Sequence, residues 1–398
     1  MSGIFDRLGK ASHRPTRRPA ASGPQPRHWS QALAENPLTR FVPFSSLLSD
    51  HDVITRGGDF LRVWRLDGVA FECADDYLVT ERHEALCSLL RNLSGGQWAV
   101  WTHRLHRKIQ DMLTDPAEDG FAKDLSQAYQ AHLNQRAMMS NELYLTLVYR
   151  PTTSRISRAL QSPQRSKAAI AEAHAEALRV MEERTAFVHR VLRGFGPQLL
   201  GVREQRGRLY SEVAEFLGYL VNGYWKPVPF TAGPLHRTLP STRLSFGGDK
   251  LELRNGDQRR CAALVDIKEY ADAVEPGILN ALLYEDSEFI ETQSFSILPR
   301  REATRALELQ RDQLIASDDV VSSQIADMDE ALNELGDGQF CMGEYHYSLV
   351  VFGNPGEDSL ADAGRRAAQA IGAVGESSSL QMSPVDLVAD AAWFAQMP

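Results

Sequence analysis

Four cysteines, Cys73, Cys87, Cys261 and Cys341, are scattered through 398 residues, and no two form a Cys-x-x-Cys pair. That scatter excludes the common zinc and dithiol motifs and leaves free thiols in a reducing compartment. No apolar run approaches the roughly 18 residues that a bilayer span needs. The first residues, MSGIFDRLGK, lack the apolar stretch of a secretory leader. A cytosolic protein is expected, one still able to dock at a membrane face. Positive charge is also short: 43 Lys and Arg stand against 52 Asp and Glu, a net charge of -9. A general nucleic-acid binder carries a basic surface, so no direct nucleic-acid binding is expected. The phosphate-binding pattern GxxxxGK[ST] is absent as well. The one Gly-Lys pair, Gly9-Lys10, is followed by Ala11, which removes the loop whose N–H groups and lysine would cradle a triphosphate.

What is present suits a folded protein: 43% hydrophobic and 24% charged residues, with a length prior of about two or three domains. The pentapeptide Leu93-Ser94-Gly95-Gly96-Gln97 matches the signature of ABC-type ATPases. There it opens a helix and works with a Walker A loop upstream. Here it closes an apolar-periodic stretch and precedes strand-like WAVWTH, so Gly95 and Gly96 read as a helix C-cap and turn. Other candidate chemistry is equally thin. His103 and His106 fall on opposite faces of an alternating strand and show no third ligand. His346 reads as a satisfied strand histidine. Asp75-Asp76 complements a helix start, and the serines of GESSS lack the strand–GxSxG–helix context of a nucleophile. No constellation in the chain is expected to run a reaction.

The pattern predicts an α+β fold: two split α/β units with mixed or antiparallel sheets, joined by long helices. Residues 1–40 carry seven Lys and Arg against two acids. Over 11–40, Pro, Arg, Ser and Ala predict a disordered tail. Residues 41–150 form the first unit. DVITRGGDFLRVWRLDG reads as a hairpin turning at Gly57-Gly58, followed by a helical stripe, a strand at GQWAVWTHRLH, a helix at about 118–137 and the strand NELYLTLVYR. A helical connection spans 151–239, with a long helix at 165–193 and a shorter one at 209–221. The second unit, 240–398, repeats the order with a hairpin at RLSFGGDKLELRNG and strands at QRRCAALVDIKEY, SEFIETQSFSILPR and GEYHYSLVVFG. It has a long helix at 300–335, a helix at 357–373 and a final one from about 384. Val321, Ile325, Met328, Leu332 and Leu335 make a heptad-like seam that reads as core packing inside one subunit, with oligomerisation as the alternative. The shared order fits an old duplication or the commonness of such layouts.

Taken in succession, VPFSSLLSDHDVITRGGDFLRVWRLDG, then LVDIKEYADAVEPGILNALLYEDSEFIETQSFSILPR, a long helix, GEYHYSLVVFG and the closing AAWFAQMP resemble the CagE/TrbE/VirB family of type IV secretion systems over residues 41–398. Met397 stands where that family usually has leucine. The resemblance implies an ATPase whose RecA-like motor and Walker motifs lie beyond Pro398, so ATP and Mg belong with that motor, and no cofactor or metal is expected in these residues. It also implies a docking and assembly region at the cytoplasmic face of the bacterial inner membrane. Small inner-membrane channel proteins and other copies of the chain are the implied partners, and the hexamer is associated with the motor. A stand-alone, non-catalytic scaffold is the alternative.

Two groups of contact residues follow. Arg7, Lys10, Arg14, Arg17 and Arg18 would gain about 1 kcal/mol each close to an anionic leaflet, and Ile4, Phe5 and Leu8 would insert shallowly if residues 2–10 are helical; a solvated tail is the other reading. Trp393, Phe394 and Met397 form the junction to the motor domain, pack back on residues 240–390, or do both.

Overall fold

The computed structural model describes residues 37–70, 74–109, 120–135, 138–151, 167–271, 274–316, 322–356 and 358–398. A 3-10 turn at Leu38–Arg40 opens it, and Leu38 packs against the first core, so ordered packing begins ahead of Phe41. Strands β1 (Phe44–Leu47), β2 (Val53–Thr55) and β3 (Phe60–Leu66) follow. The β2–β3 hairpin lies where the sequence places it, with Gly58 at φ 84° in its turn. Next come helix α1 (Asp76–Asn92), β4 (Trp98–Ile109), α2 (Gly120–Gln135), β5 (Met138–Tyr149) and α3 (Lys167–Val191). After β6 (Pro197–Leu199), a small hairpin of β7 (Val202–Gln205) and β8 (Arg208–Ser211) leads into α4 (Glu212–Asn222). The second half holds β9 (Arg243–Phe246), β10 (Lys250–Asn255), β11 (Gln258–Glu269), β12 (Phe289–Ile297), α5 (Arg300–Ala316) and α6 (Ser322–Asp337). It closes with β13 (Gly343–Phe352), α7 (Ser359–Ser377), β14 (Gln381–Pro384) and α8 (Ala389–Ala395). Among the described residues no helix is long and apolar enough to cross a membrane.

The fold is α+β, and its two halves share one antiparallel sheet of twelve strands. The order is β1-β2-β3-β5-β4-β12-β13-β11-β10-β9, with β6 on β3 and β14 on β11. The halves meet where β4 pairs with β12, from His106 opposite Phe289 to Ala99 opposite Ser296. Both faces of the sheet are covered. Leu61, Val63, Ala99, Leu105, Val148, Leu264 and Val350 face one core; Phe60, Trp64, Val100, Leu145 and Leu147 face a second, under α1 and α3. Ala263, Val265, Leu349 and Val351 pack against Ala363, Ala367, Ala370 and Val374 of α7. Burial on two sides explains runs such as AALV and SLVV, which do not alternate as a half-exposed strand would.

Helix α4 is the keystone of the first core. Ten of its eleven residues are buried, and its N-terminus is capped by Ser211 Oγ, which accepts from the Ala214 N–H (3.2 Å). Phe216 stacks on Tyr144 (4.3 Å) and meets His103 edge-on (5.3 Å). Two buried polar side chains of α4 are well partnered. Asn222 donates to Gly218 O and Leu239 O and accepts from the Ser241 and Thr242 N–H groups. Glu215 takes Arg203 (2.8 Å). On the other face Arg62 ties β3 to the β1–β2 loop and to α3 through Asp52 (2.6 Å), Glu182 (2.6 Å) and Thr185 (2.7 Å).

One expected element is different. Residues 300–335 were expected as a single helix, yet α5 and α6 are two, folded back on each other: Arg311 of α5 bridges Asp329 of α6 (3.2 Å). Met328, Leu332 and Leu335 pack with Ala303 and Leu307, so the heptad-like seam serves the interior of one chain. Val321 lies outside the described residues. A lone helix with that seam would leave it in water, and doubling back buries it.

Candidate docking surface

The closing run, residues 389–397, is seated in the first core. Trp393 is fully buried and Met397 is 7% exposed. The ring of Trp393 lies against Gly223, which has φ 68° at the C-terminus of α4 and where an added Cβ would stand 2.6 Å from Leu253. Gln396 is buried too. Its Nε2 donates to Leu220 O (3.0 Å), and its carbonyl accepts from His103 Nε2 (2.7 Å). One glutamine therefore links α4, β4 and the chain's last turn. Of the three residues expected at a domain junction, Trp393 and Met397 spend their apolar surface on this chain, with α4 and not only residues 240–390 as the seat. Phe394 is half-buried and faces outward. It stacks on Phe41 (4.6 Å, rings 8° apart) and tilts against Phe246 (6.1 Å).

Around that stack lies a groove of about 700 Å³ with apolar walls at Pro37, Leu38, Phe41, Leu244, Phe246 and Phe394 and polar ones at Thr242, Arg243, Ser245 and Asp390. Its floor is the outermost strand, β9. Phe41 is 40% exposed. Among the described residues no strand pairs with the outer edge of β9, and aromatic rings beside such an edge suit a polypeptide ligand. Ile4, Phe5, Arg7, Leu8, Lys10, Arg14, Arg17 and Arg18 lie outside the described residues.

The histidines sit as their alternation requires. His103 faces Phe216 in one core, while His106 stacks on Phe289 (4.7 Å) on the opposite face and donates through Nε2 to Glu285 O (2.7 Å). Burial drives the His103 pKa down to about 4, against a smaller opposing pull from the Gln396 carbonyl. His346 departs from the expectation of a satisfied histidine: its Nε2 is buried without a hydrogen-bond partner, and desolvation lowers its pKa. Among the described residues no group of three or more His, Cys, Asp or Glu could hold a metal ion.

The LSGGQ segment closes α1. Leu93 is its C-cap, Gly95 and Gly96 have φ 121° and 78°, and β4 begins at Trp98. A Cβ on Gly96 would approach Pro299 to 2.5 Å. Gly96→Ala is expected to destabilise the chain by about 1–3 kcal/mol through the positive φ alone, with the proline contact adding to it. Urea unfolding of both proteins checks this, and equal midpoints would contradict it.

Residues 198–398 match the model of the CagE, TrbE, VirB family, component of type IV transporter system. That is half of the chain. It belongs to this family. Residues 51–156 match the N-terminal domain of the type IV secretion system ATPase VirB4/TrbE. Among curated relatives of this CagE/TrbE/VirB chain is the type IV secretion system protein PtlC homolog of Bordetella bronchiseptica, 39% identical over 374 residues. The alignment covers 92% of this chain and 44% of the relative. VirB4 of Brucella abortus is 35% identical, covering 94% of this chain and 46% of the relative. VirB4 of Bartonella henselae is 30% identical, with 90% and 45% covered. The chain thus spans less than half the length of these relatives. The match carries the sequence-based resemblance, and it makes this CagE/TrbE/VirB chain a component of type IV secretion.

Proposed function

We propose that these residues are the docking and assembly region of a type IV secretion ATPase. In this reading they bind small inner-membrane channel proteins at the cytoplasmic face of the membrane, while a motor elsewhere in the longer protein binds ATP and Mg and drives pilus assembly and substrate transfer. One observation carries it: the run 389–397 is clamped to α4 and β4 by Trp393, Gln396 and His103. Anything attached at residue 398 is therefore coupled to a sheet that both halves share. A domain that transmits motor movements to membrane partners needs that kind of stiff seat. The basic residues of the first 18 add attraction for an anionic surface, which weakens as salt rises.

The test uses the tagged chain and detergent-solubilised membranes from cells carrying the secretion genes. The chain is expected to retain the small inner-membrane secretion proteins, identified by mass spectrometry, and to turn over no ATP by itself. Retention of none of them, or ATP turnover abolished by a point substitution within 1–398, would overturn the proposal.

A further inference from the structure

Helix α1 and the connection from α6 to β13 bring together two thiols that the sequence holds far apart. Arg91, in the last turn of α1, donates through Nη1 to Gln339 O (3.0 Å), 248 residues along the chain. Cys87 precedes Arg91 by one helical turn and lies on the same face. Cys341 follows Gln339 by two residues and packs, like Leu90, against the core that holds Leu89 and Leu93. Both cysteines are free and half-buried. They stand close enough for their charges to interact. Burial first, and the charge of Cys87 second, push the Cys341 thiol up, while Arg91 pulls the other way. His83, exposed and one turn before Cys87, places its Nε2 3.6 Å from the Cys87 Sγ. The third described cysteine, Cys261, is fully buried in β11.

We infer that Cys87 and Cys341 are a reversible thiol pair, oxidised by a small disulfide of the glutathione class to a bond that joins α1 to the entrance of β13. Cys87 reacts first. His83 Nε2 is placed to accept its proton, and the thiolate attacks one sulfur of the small disulfide. A mixed disulfide forms on Cys87, and one small thiolate leaves and takes up that proton. Cys341 then gives up its own proton, and its thiolate attacks the Cys87 Sγ. The second small thiolate leaves and is protonated in turn. Two protein thiols are oxidised and one small disulfide is reduced to two thiols, with no further reactant. Burial keeps Cys341 protonated and out of the first step. The mixed disulfide removes the Cys87 charge that opposed ionisation of Cys341, and Arg91 stays beside it, so the first step promotes the second. Cys341 lies outside helix and strand, where the backbone can adjust to the narrow geometry a disulfide allows. Excess thiol reopens a half-exposed bond of this kind. The pairing does not depend on the secretion role.

The test treats the full chain with glutathione disulfide, quenches by alkylation and maps the peptides without reductant. The parent is expected to yield a peptide linked through Cys87 and Cys341 within one chain, and excess glutathione should return both thiols. In Cys341→Ser the reaction should stop at the mixed disulfide, so that glutathione accumulates on Cys87. In Cys87→Ser, Cys341 should take up glutathione at least about tenfold more slowly than Cys87 does in Cys341→Ser. A stable glutathione adduct on Cys87 of the parent, without the linked peptide, would overturn the inference. So would linkage through Cys73 or Cys261, a bond between two copies, or equal uptake by Cys341 when Cys87 is replaced.

Discussion

Trp393→Ala should lower the unfolding free energy by about 3–5 kcal/mol, the range for removing a buried tryptophan from a core that cannot collapse. Trp393 is fully buried, and its indole Nε1 has no hydrogen-bond partner, so the loss is of apolar contact and not of a polar link. The cavity would open between α4 and the second half of the sheet, where Gly223 leaves no side chain to fill it. Phe394→Ala is the internal control. Its ring is half-buried and packs on an exposed Phe41, so its cost should be less than half as large. Denaturant titration of the three proteins decides it. A Trp393→Ala cost below that of Phe394→Ala would mean that the closing run contributes little to the core.

Acid should unlock the same corner. His103 is neutral in the folded chain: its Nε2 carries the proton that the Gln396 carbonyl accepts, and Nδ1 is buried without a partner. Burial, the larger influence, holds its pKa down near 4, and the carbonyl bond opposes it only in part. The unfolded chain, with an ordinary histidine near 6.5, therefore binds more protons between those two values, and stability rises with pH across the window. The contribution is whole above about pH 6.5 and drains away toward pH 4, for a total of about 3 kcal/mol from this one group. His103→Gln removes the titration while keeping a donor. Its thermal midpoint should fall less steeply than the parent's between pH 6.5 and 4.5. Parallel pH profiles would show that His103 does not titrate as its burial requires.

Local signals in the sequence located most elements, and long-range ones did not exist to be read. Gly57-Gly58 marked a hairpin because a tight turn needs positive φ, and Gly58 has it. Ile170, Ala173, Ala177 and Val180 recur at helical spacing, and α3 spans them. The helix expected over 300–335 failed because a stripe at three-four spacing looks the same in one helix as in two that fold back. Ser317, Asp318 and Asp319 in the middle, residues that favour helix caps, were the signal available. Strand β14 was missed because it is only four residues long, too short for its alternation to stand out. It is a strand only because Ile267 of β11 sits opposite Met382. At the docking surface, Trp393, Phe394 and Met397 were visible as an apolar cluster. Their partners in α4, and the role of Gln396, could not be read from the sequence, since contacts across some 170 residues leave no periodic trace.

The β4–β12 pairing has a consequence for synthesis. His106 must wait for Phe289, roughly 180 residues later in the chain, which at ribosomal rates is about 10–40 s. Meanwhile β3, β4 and β5 already have one another, and the far border of β4 stands bare on the nascent polypeptide. Such a border is adhesive. The step most exposed to mispairing in the cell is therefore neither the first hairpin nor the last helix but the interval before β12 emerges, and slowing translation between codons 150 and 289 should raise the yield of aggregate rather than of native protein.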